Sequence, residues 1–88
     1  MAWTVSFDPR ALAELEKLDR SVQRRIVSFL VERIQGTKDP RGTGKPLRGE
    51  QGGVWRYRVR DYRILGHLGD NAERVLVLRI GHRKSVYR

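Results

Sequence analysis

On either side of a glycine- and proline-rich stretch, the apolar residues of this chain recur at different periods. Before it, Val22, Ile26, Phe29, Leu30 and Ile34 repeat at steps of three and four, the stripe of an amphipathic helix. After it, Trp55, Tyr57 and Val59 alternate with Arg56, Arg58 and Arg60, the two-residue period of a half-buried strand. The stretch between, residues 36–53, holds six glycines and two prolines. Both flanks read as packed, so it is a loop within one domain, and Leu47 is expected to plug it into the core. At 88 residues the core is thin, because a chain this short buries only about 60–65% of its unfolded surface. One sheet packed by one or two helices is the natural solution.

The remaining elements follow from local signals. Trp3, Val5 and Phe7 alternate with Thr4 and Ser6, a short strand. Asp8-Pro9 caps and opens a helix, with Leu12, Leu15 and Leu18 on its apolar face beside Ala11, and Glu14, Glu16 and Lys17 away from it. Ser21 can cap the second helix, which Gly36 closes. Tyr62 to Leu68 pairs with the Val54–Arg60 segment, Gly69-Asp70-Asn71 turns the chain, and Val75 to Ile80 reads as a central strand ended by Gly81. The expected fold is α+β over residues 1–88: an N-terminal strand, a helical hairpin and a three-strand antiparallel meander. Together they give one antiparallel sheet packed by two helices.

Charge narrows the partners. Nineteen Lys and Arg oppose ten acids, a net of +9. Residues 1–44 carry eight bases and six acids; residues 45–88 carry eleven and four, so +7 of the excess lies in the second half. Nine of those eleven bases are arginine, which suits bidentate phosphate contacts and stacking on bases. Nucleic acid is the polyanion such a balance favours. No apolar run is long enough to suggest a membrane span. The absence of cysteine fits a reducing cytoplasm.

Period-two spacing puts Arg56, Arg58 and Arg60 on one sheet face, where three cations repel unless an anion offsets them. The segment reads either as a phosphate surface or as a solvated face. The tail from Gly81 holds His82, Arg83, Lys84 and Tyr87, a possible proton carrier, two cations and a phenol; it too has a plain reading, as a polar terminus. Two histidines are too few for a usual zinc site. The second-half acids Glu50, Asp61, Asp70 and Glu73 form no evident two-metal cluster. No metal or cofactor is expected. If RNA is cut here, its own 2′-hydroxyl attacks the adjacent phosphate and arginines stabilise the charge that builds.

The ordered set Phe7-Asp8-Pro9-Arg10-Ala11-Leu12, Leu15-Glu16-Lys17-Leu18, Pro46-Leu47-Arg48-Gly49, Val54-Trp55-Arg56-Tyr57-Arg58-Val59, Asp61-Tyr62-Arg63-Ile64-Leu65 and Ile80-Gly81-His82-Arg83-Lys84-Ser85-Val86-Tyr87 resembles the RelE/ParE toxin superfamily, and within it the RelE branch. The resemblance implies a toxin of a type II toxin–antitoxin system. Such a toxin is an endoribonuclease that enters the 70S ribosome and cleaves messenger RNA in the A site, leaving a 2′,3′-cyclic phosphate. Its partner is a RelB-like protein antitoxin, bound in a hetero-oligomer. The family's catalytic positions fall on Arg56, Arg58, Arg63, Arg83 and Tyr87, with Arg48, Arg60, His82 and Lys84 as further substrate-binding residues. The best-known RelE pattern has lysines where this chain has Arg56 and Arg58. Arginine does not give up its proton, so the general base does not carry over. Two other readings stay open: a ParE-like poison of DNA gyrase without catalysis, and an inactive family member that binds an antitoxin.

Overall fold

The computed structural model describes residues 3–47, 53–69 and 71–82. Strand β1 (Thr4–Phe7) leads into helix α1 (Pro9–Glu16), which Asp8 caps by accepting a hydrogen bond from Arg10 N–H at 2.9 Å. Helix α2 (Arg20–Phe29) follows and continues into a π-helical turn, Leu30–Ile34. Asp19, not Ser21, stands at its N-cap, and the Ser21 hydroxyl donates to the Asp19 carboxylate at 2.7 Å. After a 3-10 turn (Pro40–Thr43) come the two-residue strand β2 (Lys45–Pro46) and strands β3 (Val54–Val59), β4 (Tyr62–Gly69) and β5 (Arg74–His82).

The α+β class and the helical hairpin are as expected; the sheet is not wholly antiparallel. Its five strands run in the order β1-β5-β4-β3-β2, and β1 pairs β5 in parallel, Thr4 opposite Arg74 and Phe7 opposite Val77. Alternation reports which face a residue takes, not the direction of its neighbour. Nor does it show a two-residue strand such as β2. Strand β5 runs on through Gly81 to His82, which pairs with Tyr62.

The helices and one sheet face enclose the core: Ala11 and Leu15 from α1, Ile26 from α2, Leu30 and Ile34 from the π turn, and Tyr57, Ile64, Val75, Val77 and Ile80 from the sheet. Leu12 is 43% exposed instead, because the step from Ala11 to Leu15 sets the buried line of this short helix. Leu47 is half-buried and lies outside the core cluster; among the described loop residues it is Pro40 that is buried. In β5 the buried positions Val75, Val77 and Ile80 break the period of two. Leu65 faces Arg79 while Gly66 faces Val77, so Leu78 is the extra residue of a bulge.

Glu14 does not point away from the fold. Strand β1 stops at Phe7, opposite Val77, so it does not reach the far end of β5. There the Glu14 carboxylate accepts from Ile80 N–H at 2.8 Å and from Arg79 Nε at 2.9 Å, covering an edge that no strand covers. Both partners of the ion pair are about three-quarters buried, with 24% and 23% of their side chains exposed. Glu14→Ala is expected to cost about 1–3 kcal/mol, the range for leaving a buried donor unsatisfied. Glu14→Gln, which keeps an acceptor for Ile80, should cost less. Urea unfolding of the two variants gives the order.

Candidate active site

Strand register sorts the cations by face. Arg58 lies directly opposite Arg63, and Arg56 lies between Lys45 and Leu65. These side chains share the face turned away from the helices. The row Val59, Tyr62, His82 lies on the other face. Like charges directly opposite one another on a sheet are destabilising. Here they border a cleft of about 310 Å³ lined by Lys45, Arg56, Arg58 and Arg63, walled by the Gly42–Gly44 backbone and backed by Tyr57. Among the described residues, no carboxylate lines it. Arg63 Nη1 is buried and has no hydrogen-bond partner among the described residues. Arg58 Nε donates to the carbonyl of Arg60 at 3.1 Å, which orients its guanidinium toward the β3–β4 turn. A buried, unpaired guanidinium nitrogen beside three further cations is an arrangement completed by an anion with several acceptor oxygens.

The wall is held from behind. The Asp39 carboxylate accepts from Arg41 N–H at 3.1 Å and pairs with its guanidinium at 3.3 Å. That guanidinium also lies 5.8 Å from the ring centroid of Trp3 and 5.8 Å from that of Trp55, within cation–π range of both. Trp3 Nε1 donates to the Lys38 carbonyl at 3.1 Å. The Tyr57 hydroxyl donates to the Pro40 carbonyl at 3.1 Å, tying strand β3 to the turn. Burial of this phenol, with Asp39 adding to the effect against Arg41, pushes its pKa up to about 12. Gly44 presses its backbone onto the same ring: a Cβ there would sit 2.6 Å from Tyr57 Cε1 and 2.8 Å from the Arg56 carbonyl oxygen.

Of the residues singled out in the sequence, Arg56, Arg58 and Arg63 come together in the cleft. Arg60 does not extend the ladder; it sits in the turn with φ of 55°. His82 is exposed on the opposite face, edge-on to Tyr62 with ring centroids 5.8 Å apart. Arg48, Arg83, Lys84 and Tyr87 lie outside the described residues. Lys45 is the cleft residue that sequence reasoning missed. It comes from a two-residue strand whose position is set by pairing with β3, and no local pattern signals that. Among the described residues, no three His, Asp or Glu side chains converge as metal ligands, and no helix is long and apolar enough to cross a membrane.

Residues 5–87 match the family model described as the ParE toxin of the type II toxin–antitoxin system parDE. The chain is 34% identical to the toxin RelG of Mycobacterium tuberculosis over 88 residues, covering 100% of this chain and 99% of that protein. It is 29% identical to the toxin RelE of the same organism, covering 96% and 84%. Among solved structures it resembles a chain of the Mycobacterium tuberculosis RelBE2 toxin–antitoxin complex, with a TM-score of 0.82 and 32% identity over 94% of this chain and 93% of that one. A doubly substituted Escherichia coli RelE toxin in the free state gives a TM-score of 0.78 and 29% identity, covering 97% and 87%.

Two outcomes test how the cleft is built. Gly44→Ala should force the wall off Tyr57 and lower thermal stability by several degrees, since a clash with backbone and a packed ring has no cheap relief. The second concerns Tyr57. Its folded pKa lies above the ordinary tyrosine value, so the native state holds the proton more tightly than the unfolded chain does. That stabilisation is complete below about pH 10 and fades as pH rises toward about 12. Denaturant unfolding between pH 9 and pH 12 should show it in the native protein and lack that component in Tyr57→Phe.

Proposed function

Because the chain belongs to the ParE toxin family of type II toxin–antitoxin systems, within the RelE/ParE superfamily, we propose that it is a ribosome-dependent endoribonuclease acting in the cytoplasm on messenger RNA in the A site. The observation that carries this reading is the unpaired Arg63 nitrogen in a cleft that the described residues line with four cations and no carboxylate. A phosphodiester supplies the missing acceptors. In the reaction the 2′-oxygen loses its proton and bonds to the adjacent phosphorus. The bond to the 5′-oxygen breaks, and that oxygen takes up a proton. The products are a 2′,3′-cyclic phosphate and a 5′-hydroxyl. Arg56 and Arg63 stabilise the charge that grows on the non-bridging oxygens, and Arg58 helps hold the strand. Arginine cannot remove the 2′-proton. Lys45 lies beside Arg56 in the cleft, and His82 lies on the other face of the sheet. In this reading Arg83 and Tyr87 complete the site from the tail, with Arg48 and Lys84 as further contacts. The ribosome holds the message in the geometry for in-line attack.

An antitoxin partner fits the solved relative that is a RelBE2 toxin–antitoxin complex. The antitoxin would place an acidic segment over the cationic face, forming a silent hetero-oligomer. The ParE description of the matching family favours a second reading, a gyrase poison without chemistry. Such a poison has no need of a cationic phosphate cleft.

Single-turnover cleavage on programmed ribosomes, mapped by primer extension, tests the proposal. Arg56→Ala and Arg63→Ala should each slow cleavage by about a hundredfold or more, with ribosome binding much less affected. Lys45→Ala removes one of the cleft's cations and should slow cleavage as well, by a smaller factor than Arg63→Ala. Intact message on ribosomes together with inhibited supercoiling by gyrase would favour the second reading instead.

A further inference from the structure

Helix α2 carries a second run of cations that the cleft does not use. Arg25 and Arg33, both exposed, stand eight positions apart along α2 and the π turn, with Ser28 and Glu32 between them on the same flank. They face the β3–β4 turn across an open groove of about 670 Å³, whose other side is Arg58, Val59 and Arg60. The groove and the cleft share Gly42, Thr43 and Arg58, so the two lie on either side of one ridge. Among the described residues, four arginines and one glutamate line the groove, a charge of +3.

Two details point to a ligand that crosses the ridge. Arg60 adopts φ of 55°, a left-handed turn position that suits glycine or asparagine and costs an arginine roughly 1–2 kcal/mol. A long cation is thus held where the backbone favours a small residue. The Arg60 carbonyl also draws the Arg58 guanidinium toward the turn, so one side chain borders both depressions.

We propose that this groove is a second tract for RNA backbone. In it Arg25, Arg33 and Arg60 bind phosphates of the same single strand whose reacting phosphate lies at Arg56 and Arg63. The inference rests on the phosphodiester reading of the cleft and extends it along the strand. Charge complementarity and the shared ridge select one continuous strand over a separate partner. Glu32 opposes phosphate, so its charge sets how tightly the groove holds.

The probes are labelled single-stranded RNAs made uncleavable by 2′-deoxy substitution: a trinucleotide, too short to leave the cleft, and a dodecamer. Anisotropy titrations over a range of salt give the slope of log affinity against log salt. Arg25→Gln/Arg33→Gln should lower the dodecamer slope by about 1.4, since each phosphate contact on a single strand contributes about 0.7. Trinucleotide binding should stay unchanged, and Glu32→Gln should tighten only the dodecamer. These surface changes leave the core intact, which circular dichroism verifies. If Arg56→Ala lowers the dodecamer slope while Arg25→Gln/Arg33→Gln and Glu32→Gln leave it untouched, the groove proposal is overturned and the cleft reading stands. If the native protein binds neither RNA, the cleft reading fails and takes the groove with it.

Discussion

The ring of Tyr57 can be buried only if its hydroxyl finds a partner inside, and the Pro40 carbonyl is that partner. Much of the site depends on this one bond. It draws the Pro40–Thr43 turn onto the sheet, and the turn brings the Gly42–Gly44 wall with it. The ring packs at a tilt on Phe29 of α2, with centroids 5.9 Å apart, and leaves no room for a side chain at Gly44. One residue thus joins the helical layer, the sheet and the loop. The face of β3 that carries Arg56 and Arg58 is fixed by the burial of Tyr57 and Val59 on the other. Side chains alternate along a strand, so the core residues decide where the cations point.

That alternation is why the cationic face was legible in the sequence. Period-two spacing placed Arg56 and Arg58 together, and the resemblance to a known family added Arg63 from the neighbouring strand. The hairpin of helices was legible too, from the Val22–Ile34 stripe and the Asp8-Pro9 start. What sequence could not give was set by contacts between distant segments. Strand β1 takes its direction from β5. Lys45 takes its place from Arg56. Glu14 looked like a solvent residue on a helix and instead caps an open strand edge, because a local pattern records the period of α1 and not the length of β1. Arg60 failed as the third rung of the ladder for a local reason: the tight turn to Tyr62 rotates its backbone out of the strand.

Cation repulsion and fold stability meet in the sheet. Arg58 and Arg63 face each other across a strand pair, and among the described residues no acid lines the cleft they border. The nearby Arg79, by contrast, is paired with Glu14. Asp8 and Asp19 serve helix starts, Glu14 an open strand edge and Asp39 the loop clamp, so none of these four acids offsets the cleft. Any acidic partner that covers this face relieves repulsion as well as blocking access, so masking and stabilisation come together.

The parallel pairing of β1 with β5 joins segments far apart in the sequence, Thr4 lying opposite Arg74. During synthesis the first strand emerges long before its partner exists, and the helical hairpin and the meander can form while β1 waits. Contacts between segments so far apart close late and slowly. The sheet is therefore completed only once β5 has been made, and a nascent chain that still lacks that strand has yet to form the native sheet.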